Sequence, residues 1–247
     1  MRALFIAFIF TFILISCKSE EKKLTAQQII DKSIAVSGVE KITNSLLSFD
    51  FRDLHYSAYR NNGGFKLVRI KKSEEGTRED ILSNKGFERL FNAHPVQVPD
   101  SMALKYSESI NSVHYFSVLP YGLNDGAVQK KLLVDKTIKG KEFYKVQITF
   151  KQEGGGIDFD DVFIYWIGKE DFKIDYMAYT FHVNGGGKRF REVRNEHLIN
   201  GVRLTDHNNY KPNDASVDLS TLDLLFESNQ LKKLSEINLE NIQLSFN

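Results

Sequence analysis

From Leu24 onward the apolar positions first recur at helical spacing: Ala26, Ile29, Ile30, Ile34 and Val36 fall on one stripe. Thr25 and Gln28 have the spacing of a capping box, Leu24 is placed to pack back on Ile29, and Gly38 supplies the left-handed residue that ends a helix. The pattern predicts a helix over 25–37 and a short further turn through Ile42. From Leu46 the period changes. Short runs over 46–57, 65–71, 77–83 and 87–92 are divided by Asn61-Asn62-Gly63-Gly64 and Asn84-Lys85-Gly86, the punctuation of an antiparallel meander with tight hairpins.

His94-Pro95 through Pro99 interrupts the meander, and Asp100 stands as a cap before Ala103, Tyr106, Ile110 and Val113, which predict a second helix over 101–116. After Gly140 the alternation is strict: Tyr144, Val146, Ile148 and Phe150 are apolar, with Lys145, Gln147 and Thr149 between them. Val162 to Ile167 is apolar on both faces, which predicts a strand covered on both sides, by core on one and by a helix or a ligand cavity on the other. Further strands are expected over 172–183, 188–199 and 202–210, the last two joined by the hairpin dipeptide Asn200-Gly201. Leu219, Leu222, Leu225 and Phe226 give a third helical stripe within 218–229, and 242–246 alternates as a final strand. About eleven strands and three helices are expected, with no Pro-rich linker to divide them, so 25–247 reads as one mainly β (α+β) domain.

Composition agrees and adds two exclusions. Of 247 residues, 42% are hydrophobic, and the aromatic share of 12% comes from 19 Phe, 10 Tyr and one Trp, which suits pleated half-buried surface. The hydrophobic content excludes a disordered chain. With 33 Lys+Arg against 32 Asp+Glu there is no global field to recruit nucleic acid.

The first residues run Met1-Arg2 and then apolar from Ala3 to Ile15, too short for a spanning helix and suited to a signal-peptide core over 1–16. The ending Leu14-Ile15-Ser16-Cys17 resembles the lipobox of bacterial lipoproteins, which implies cleavage before Cys17, diacylation of its thiol and an N-acyl chain such as palmitate. Cys17 is the sole cysteine, so the mature chain forms no internal disulfide. The charged stretch Lys18 to Lys23 reads as a solvated tether within 17–24, and its acidic pair Glu20-Glu21 resembles the signal that carries some Gram-negative lipoproteins to the outer face of the outer membrane; a plain spacer reads equally well.

Candidate chemistry is sparse. The six histidines show no metal-ligand spacing; His197 and His207 flank Asn200-Gly201 and could face each other as a polar pair on a strand face. Gly154-Gly155-Gly156 with Asp158, Asp160 and Asp161 offers carboxylates to a hard cation but lacks a closing Glu, so a solvated hairpin tip is the better reading. Gly185-Gly186-Gly187 before Lys188, Arg189 and Arg191 lacks the helix of a phosphate loop. It reads as a turn into an edge strand with outward arginines, although Arg189 and Arg191 share a face that could grip a carboxylate or lipid phosphate. No nucleophile motif, metal site or cofactor is implied. The aromatics between Phe159 and Phe181 exceed what a two-layer core consumes, and apolar pockets are lined by such residues. Phe163, Tyr165, Trp166, Tyr176, Tyr179 and Phe181, with Arg189 and Arg191, are therefore the candidate ligand-binding set, Trp166 lying in or beside the cavity.

The order of a lipidated cysteine, a tether, a helix ending at Ser37-Gly38 and a long antiparallel meander with helices inserted late resembles the LolA/LolB-like superfamily of envelope lipoprotein carriers. Gly140-Lys141-Glu142-Phe143-Tyr144-Lys145-Val146, the Val162 to Ile167 run, Gly187 to Arg191 and Asn200-Gly201-Val202 resemble an uncharacterised family of Gram-negative lipoproteins. The resemblance implies a strongly curved half-barrel with helices lidding a concave face that takes acyl chains, on a membrane-anchored protein of the cell envelope. Two other functions stay open: an envelope structural or interaction lipoprotein without ligand, and a hydrolase whose triad is assembled only in space.

Overall fold

The computed structural model describes residues 23–156, 159–182 and 185–247. The signal segment, Cys17 and the tether as far as Lys22 lie outside the described residues, as does Asp158 of the glycine-rich loop. Helix α1 spans Ala26–Ser37, and both arms of its capping box are present: the Gln28 amide N–H reaches Thr25 Oγ1 at 3.2 Å, and the Thr25 N–H donates to Gln28 Oε1 at 2.9 Å. Gly38 ends it at φ +64° and lies so close to the Asn200-Gly201 hairpin that a Cβ there would strike the Gly201 carbonyl oxygen. Thr25→Ala is expected to lower stability by about 1 kcal/mol, read from the urea midpoint at unchanged m-value.

After a 3-10 turn over Val39–Asn44, fifteen strands among the described residues form two antiparallel sheets. The first takes β1 (Ser45–Phe51), β2 (Leu54–Asn61), β3 (Gly64–Ser73), β4 (Gly76–Ser83), β5 (Gly86–Phe91) and the two-residue β6 (His94–Pro95) in sequence order, with the last strand of the chain, β15 (Glu240–Phe246), beside β1. The second runs β14 (Leu231–Ile237), β13 (Val202–Pro212), β12 (Gly187–Ile199), β11 (Ile174–Phe181), β10 (Phe163–Gly168), β9 (Lys141–Phe150) and β7 (Val128–Leu132), with β8 (Lys136–Ile138) also paired to β9. Chain order is thus kept as a meander in each sheet, and only β15 crosses back. Buried Asp206 on β13 fixes that crossing by accepting the Leu239 N–H at 2.8 Å, and Asn200 Nδ2 donates to the Leu244 carbonyl at 2.7 Å.

The mainly β, antiparallel, unclosed architecture holds, while the strand count rises from eleven to fifteen. The 46–57 run is two strands, because the chain reverses at Arg52 (φ +58°) with no glycine or asparagine to mark the turn. Strand β14 reads Leu-Lys-Lys-Leu-Ser-Glu-Ile, a spacing of three that hides an edge strand, and β7 is an edge strand rich in charge. Strand β12, expected at an edge, is interior between β11 and β13. His197 pairs with Leu204 and His207 with Val193, so the two histidines do not face each other across the hairpin.

The main core lies between the sheets. It joins Leu47, Phe49 and Tyr56 of the first sheet, Val146, Ile148, Phe163, Tyr165 and Met177 of the second, and Ile29, Ile30 and Ile34 of α1, each such buried side chain contributing about 1.5–3 kcal/mol. Helix α2 (Asp100–Ser117) crosses β3, β4 and β5. Pro99 rather than Asp100 is its N-cap; Asp100 is inside the first turn, where its charge meets the positive end of the helix dipole. Buried Asp80 on β4 binds Arg69 at 2.7 Å and also pairs with Arg89; Arg69 reaches Ser109 Oγ of α2 at 2.9 Å, and Arg89 stacks on Tyr106. Helix α3 (Leu222–Glu227) covers the other face of the second sheet, packing Leu222 and Phe226 on Ile164, Trp166, Tyr176 and Phe190.

Candidate functional site

Strand alternation sorts the aromatic cluster into two sets. On β10, Phe163, Tyr165 and Ile167 point to the core between the sheets, and Ile164 and Trp166 point to α3; on β11, Met177 and Tyr179 face inward and Tyr176 and Ala178 face α3. The doubly covered strand is therefore real, and its second cover is a helix. Between the two sheets and α2 the inward set borders a cavity of about 960 Å³. Phe163, Tyr179, Phe181, Arg189 and Arg191 line it, together with Phe65, Tyr115, Phe116, Tyr121 and Phe150, which the sequence reading did not single out.

Three expected residues are not on the wall. Tyr165 is fully buried in the same core, its hydroxyl 3.1 Å from that of Tyr115, and burial pushes the Tyr115 hydroxyl up to about 12. Trp166 and Tyr176 belong to the opposite face. Trp166 is wholly buried, edge-on to Phe190, with its Nε1 donating to Asp223 at 3.1 Å, and Tyr176 packs on Phe143 and Phe226. The expectation that Trp166 lies in or beside the cavity is corrected: residues one apart on a strand face opposite ways, and the excess of aromatics fills two cores.

The arginines are placed differently from the outward edge-strand reading. Arg191 is buried, its guanidinium 3.8 Å from the centre of the Phe116 ring and donating to the Tyr179 hydroxyl at 2.8 Å, while Arg189 lies over Phe181. Arg60 of β2 also lines the cavity, buried beneath Tyr121. Next to it His114 of α2 packs against Phe49 and Tyr56, its Nε2 3.3 Å from the Val68 carbonyl; burial, then the Arg60 charge, lower its pKa to about 3. The alternation Tyr56, Ala58, Arg60 on one face of β2 was the signal that could have found Arg60.

At one rim Asp160, Asp161 and His182 come together, His182 Nδ1 being 2.9 Å from Asp161 and 3.5 Å from Asp160. One ring nitrogen of His182 thus lies beside both carboxylates, hydrogen-bonded to Asp161. Other histidine–carboxylate pairs, His55 with Asp50 and His197 with Asp206, have no serine hydrogen-bonded to the second ring nitrogen among the described residues. Buried His207 meets Thr205 Oγ1 at 3.3 Å beside a second cavity of about 190 Å³, with no carboxylate bonded to its ring among the described residues.

A family model matches residues 2–239, from the apolar N-terminal run to the crossing into β15. The chain belongs to DUF6503, a family of unknown function. Its fold is similar to a LolA superfamily protein, NE2245 from Nitrosomonas europaea, at 12% identity over 90% of this chain and 92% of that one, with a TM-score of 0.45. It is similar also to a DUF1329 family protein from Desulfovibrio piger (12% identity, 90% and 93% covered, TM-score 0.44). A third similar structure is a putative outer membrane lipoprotein-sorting protein domain from Vibrio parahaemolyticus (7% identity, 89% and 93% covered, TM-score 0.45). No curated protein sequence matches the chain. Among the described residues of this DUF6503 chain no helix is long and apolar enough to cross a membrane.

Proposed function

We propose that this DUF6503 protein binds an apolar or amphiphilic ligand, a lipid or acyl chain, in the cavity between its two sheets, and does so in the cell envelope on a lipidated Cys17. The observation that carries the reading is the wall itself: Phe116, Phe150, Phe163, Tyr179 and Phe181 surround about 960 Å³, the size and chemistry of a small-molecule site and far more than a packed core leaves open. The apolar run before Leu14-Ile15-Ser16-Cys17 supports the anchor, and several acyl chains hold a protein at a bilayer where one does so only marginally. The acidic pair Glu20-Glu21 supports the outer membrane as the place.

The test is mass spectrometry of organic extracts from the purified soluble Cys17→Ser protein, compared with a Ser112→Trp version. Ser112 lines the cavity from the exposed side of α2, so an indole there fills space without disturbing the core. A co-purifying amphiphile, reduced at least about tenfold by Ser112→Trp, is the expected result. Extracts without any amphiphile, together with no binding of added fatty acid, would overturn the reading. A mature N-terminus other than Cys17 in the native protein would overturn the anchor separately.

A further inference from the structure

Five lysine or arginine side chains are buried among the described residues, and the pattern of their partners is uneven. Arg69 is bound to Asp80 at 2.7 Å, Lys145 to Asp223 at 2.8 Å and Arg203 to Glu196 at 2.8 Å. Arg60 and Arg191 have no carboxylate within 4.0 Å among the described residues, and both line the large cavity. Each is more than nine-tenths buried, at 8% and 9% exposure, and each keeps a buried nitrogen without a hydrogen-bond partner, Nη1 of Arg60 and Nε of Arg191. A buried cation without a counter-ion is costly, and three of the five show how this fold ordinarily meets that cost. The two exceptions mark where an anion is missing from the chain itself.

We infer that the cavity takes an amphiphile with an oxyanion head, a carboxylate or phosphate on an apolar chain, and that Arg60 is its principal anchor with Arg191 as a second cation on the opposite sheet. This rests on the cavity-binding reading above and names its ligand class. Arg191 is partly compensated by the Tyr179 hydroxyl and by stacking on Phe116, which also hold it in place. Arg60 has only the Tyr121 ring, 5.5 Å away, and no side-chain hydrogen bond among the described residues, so it has the most to gain from an anion. The cavity also holds carboxylates. Asp161 is engaged by His182, Glu108 has a partner of its own, and Asp125, its carboxyl pushed up by burial, has the Lys130 ammonium as a neighbouring opposite charge. The neighbours of the two guanidiniums, His114 by Arg60 and His207 by Arg191, are kept neutral by burial and add no charge for a head to compete with.

The experiment uses the delipidated, soluble Cys17→Ser protein with four probes of one chain length: dodecanoate, dodecyl phosphate, dodecanol and dodecylamine. Calorimetry should show at least one of the two anions bound about tenfold or more tightly than the alcohol, with the amine weakest; which anion leads distinguishes a fatty-acid head from a phosphate head. Arg60→Met should erase that preference while leaving dodecanol binding unchanged, and Arg191→Met should reduce it less. Because Arg60→Met removes an unpaired buried charge, its melting temperature without ligand should equal or exceed that of the parent, the reverse of what a structural arginine would show. Equal affinity for dodecanoate, dodecyl phosphate and dodecanol overturns the inference and leaves the cavity reading standing, whereas no binding of any probe overturns both. Should Arg60→Met not fold, the comparison of the four probes on the parent protein still decides.

Discussion

Lowering the pH from 8 to 5 is expected to remove about 4 kcal/mol of folding stability, with two histidines responsible. His114 and His207 are buried and held near pKa 3, His114 by burial and then the Arg60 charge, His207 by burial and then Arg191 and Arg203. In the unfolded chain each returns to about 6.5. Between roughly pH 3 and 6.5 the unfolded state therefore binds more protons than the folded one, and stability falls as pH falls. The contribution is fully present above the unfolded value and disappears progressively below it. At pH 5 each site lies about 1.5 units below that value, worth about 2 kcal/mol. Below pH 4 buried carboxylates add to the loss: burial pushes Asp80 and Asp206 up, but arginine hydrogen bonds to Asp80 and the Leu239 N–H to Asp206 outweigh it and hold both low. Urea titrations at pH 8 and pH 5 measure the difference. His114→Gln and His207→Gln should each remove about half of it, and a stability that is flat between pH 8 and 5 would show that these side chains are open to protons in the folded state.

The same two histidines show why part of the site was hidden in the sequence. Neither stands in a motif, and each matters only because strands and α2 enclose it. What was legible was local. Thr25, Gln28 and Gly38 fix α1 through bonds made within one turn, and Asn200-Gly201 fixes the β12–β13 hairpin, Asn200 and Gly201 both taking positive φ as that turn requires. The inward position of Phe163, Tyr179 and Phe181 follows from alternation on β10 and β11, which also puts Trp166 and Tyr176 on the opposite face, but alternation could not say that α3 covers that face or that inward Tyr165 is buried off the cavity wall. Arg60 escaped because the turn at Arg52 carries no glycine, so β1 and β2 read as one strand and the inward face Tyr56, Ala58, Arg60 was not separated from the rest. Arg191 was seen, but its burial depends on β12 being interior, which follows from β13 and β14 lying beyond it and from no feature of its own neighbours.

Asp223→Asn is expected to destabilise the fold by about 3–5 kcal/mol, since it removes the counter-ion of a buried lysine and leaves the lysine in place. Asp223 Oδ2 accepts from Lys145 Nζ at 2.8 Å and from Trp166 Nε1 at 3.1 Å, Oδ1 accepts the Leu224 N–H at 2.9 Å, and the ammonium also donates to the Ser220 carbonyl at 2.6 Å. One carboxylate thus ties β9, β10 and the start of α3 together beneath a ring that the ammonium faces from 4.9 Å. The asparagine keeps the shape and loses the charge, so the loss measures the ion pair more than the packing. Lys145→Met combined with Asp223→Leu removes both charges and should recover most of the stability, because a buried ion pair replaced by apolar side chains of similar size is near neutral. Trp166, the only tryptophan, reports directly: its emission should change in Asp223→Asn before unfolding begins, and it should stay unchanged when an amphiphile fills the cavity on the other face of β10. An Asp223→Asn protein within about 1 kcal/mol of the parent would mean that Lys145 finds water or another partner there. An emission change on adding fatty acid would mean that ligand reaches the α3 side of the second sheet, which the packing of Leu222 and Phe226 over Trp166 does not allow.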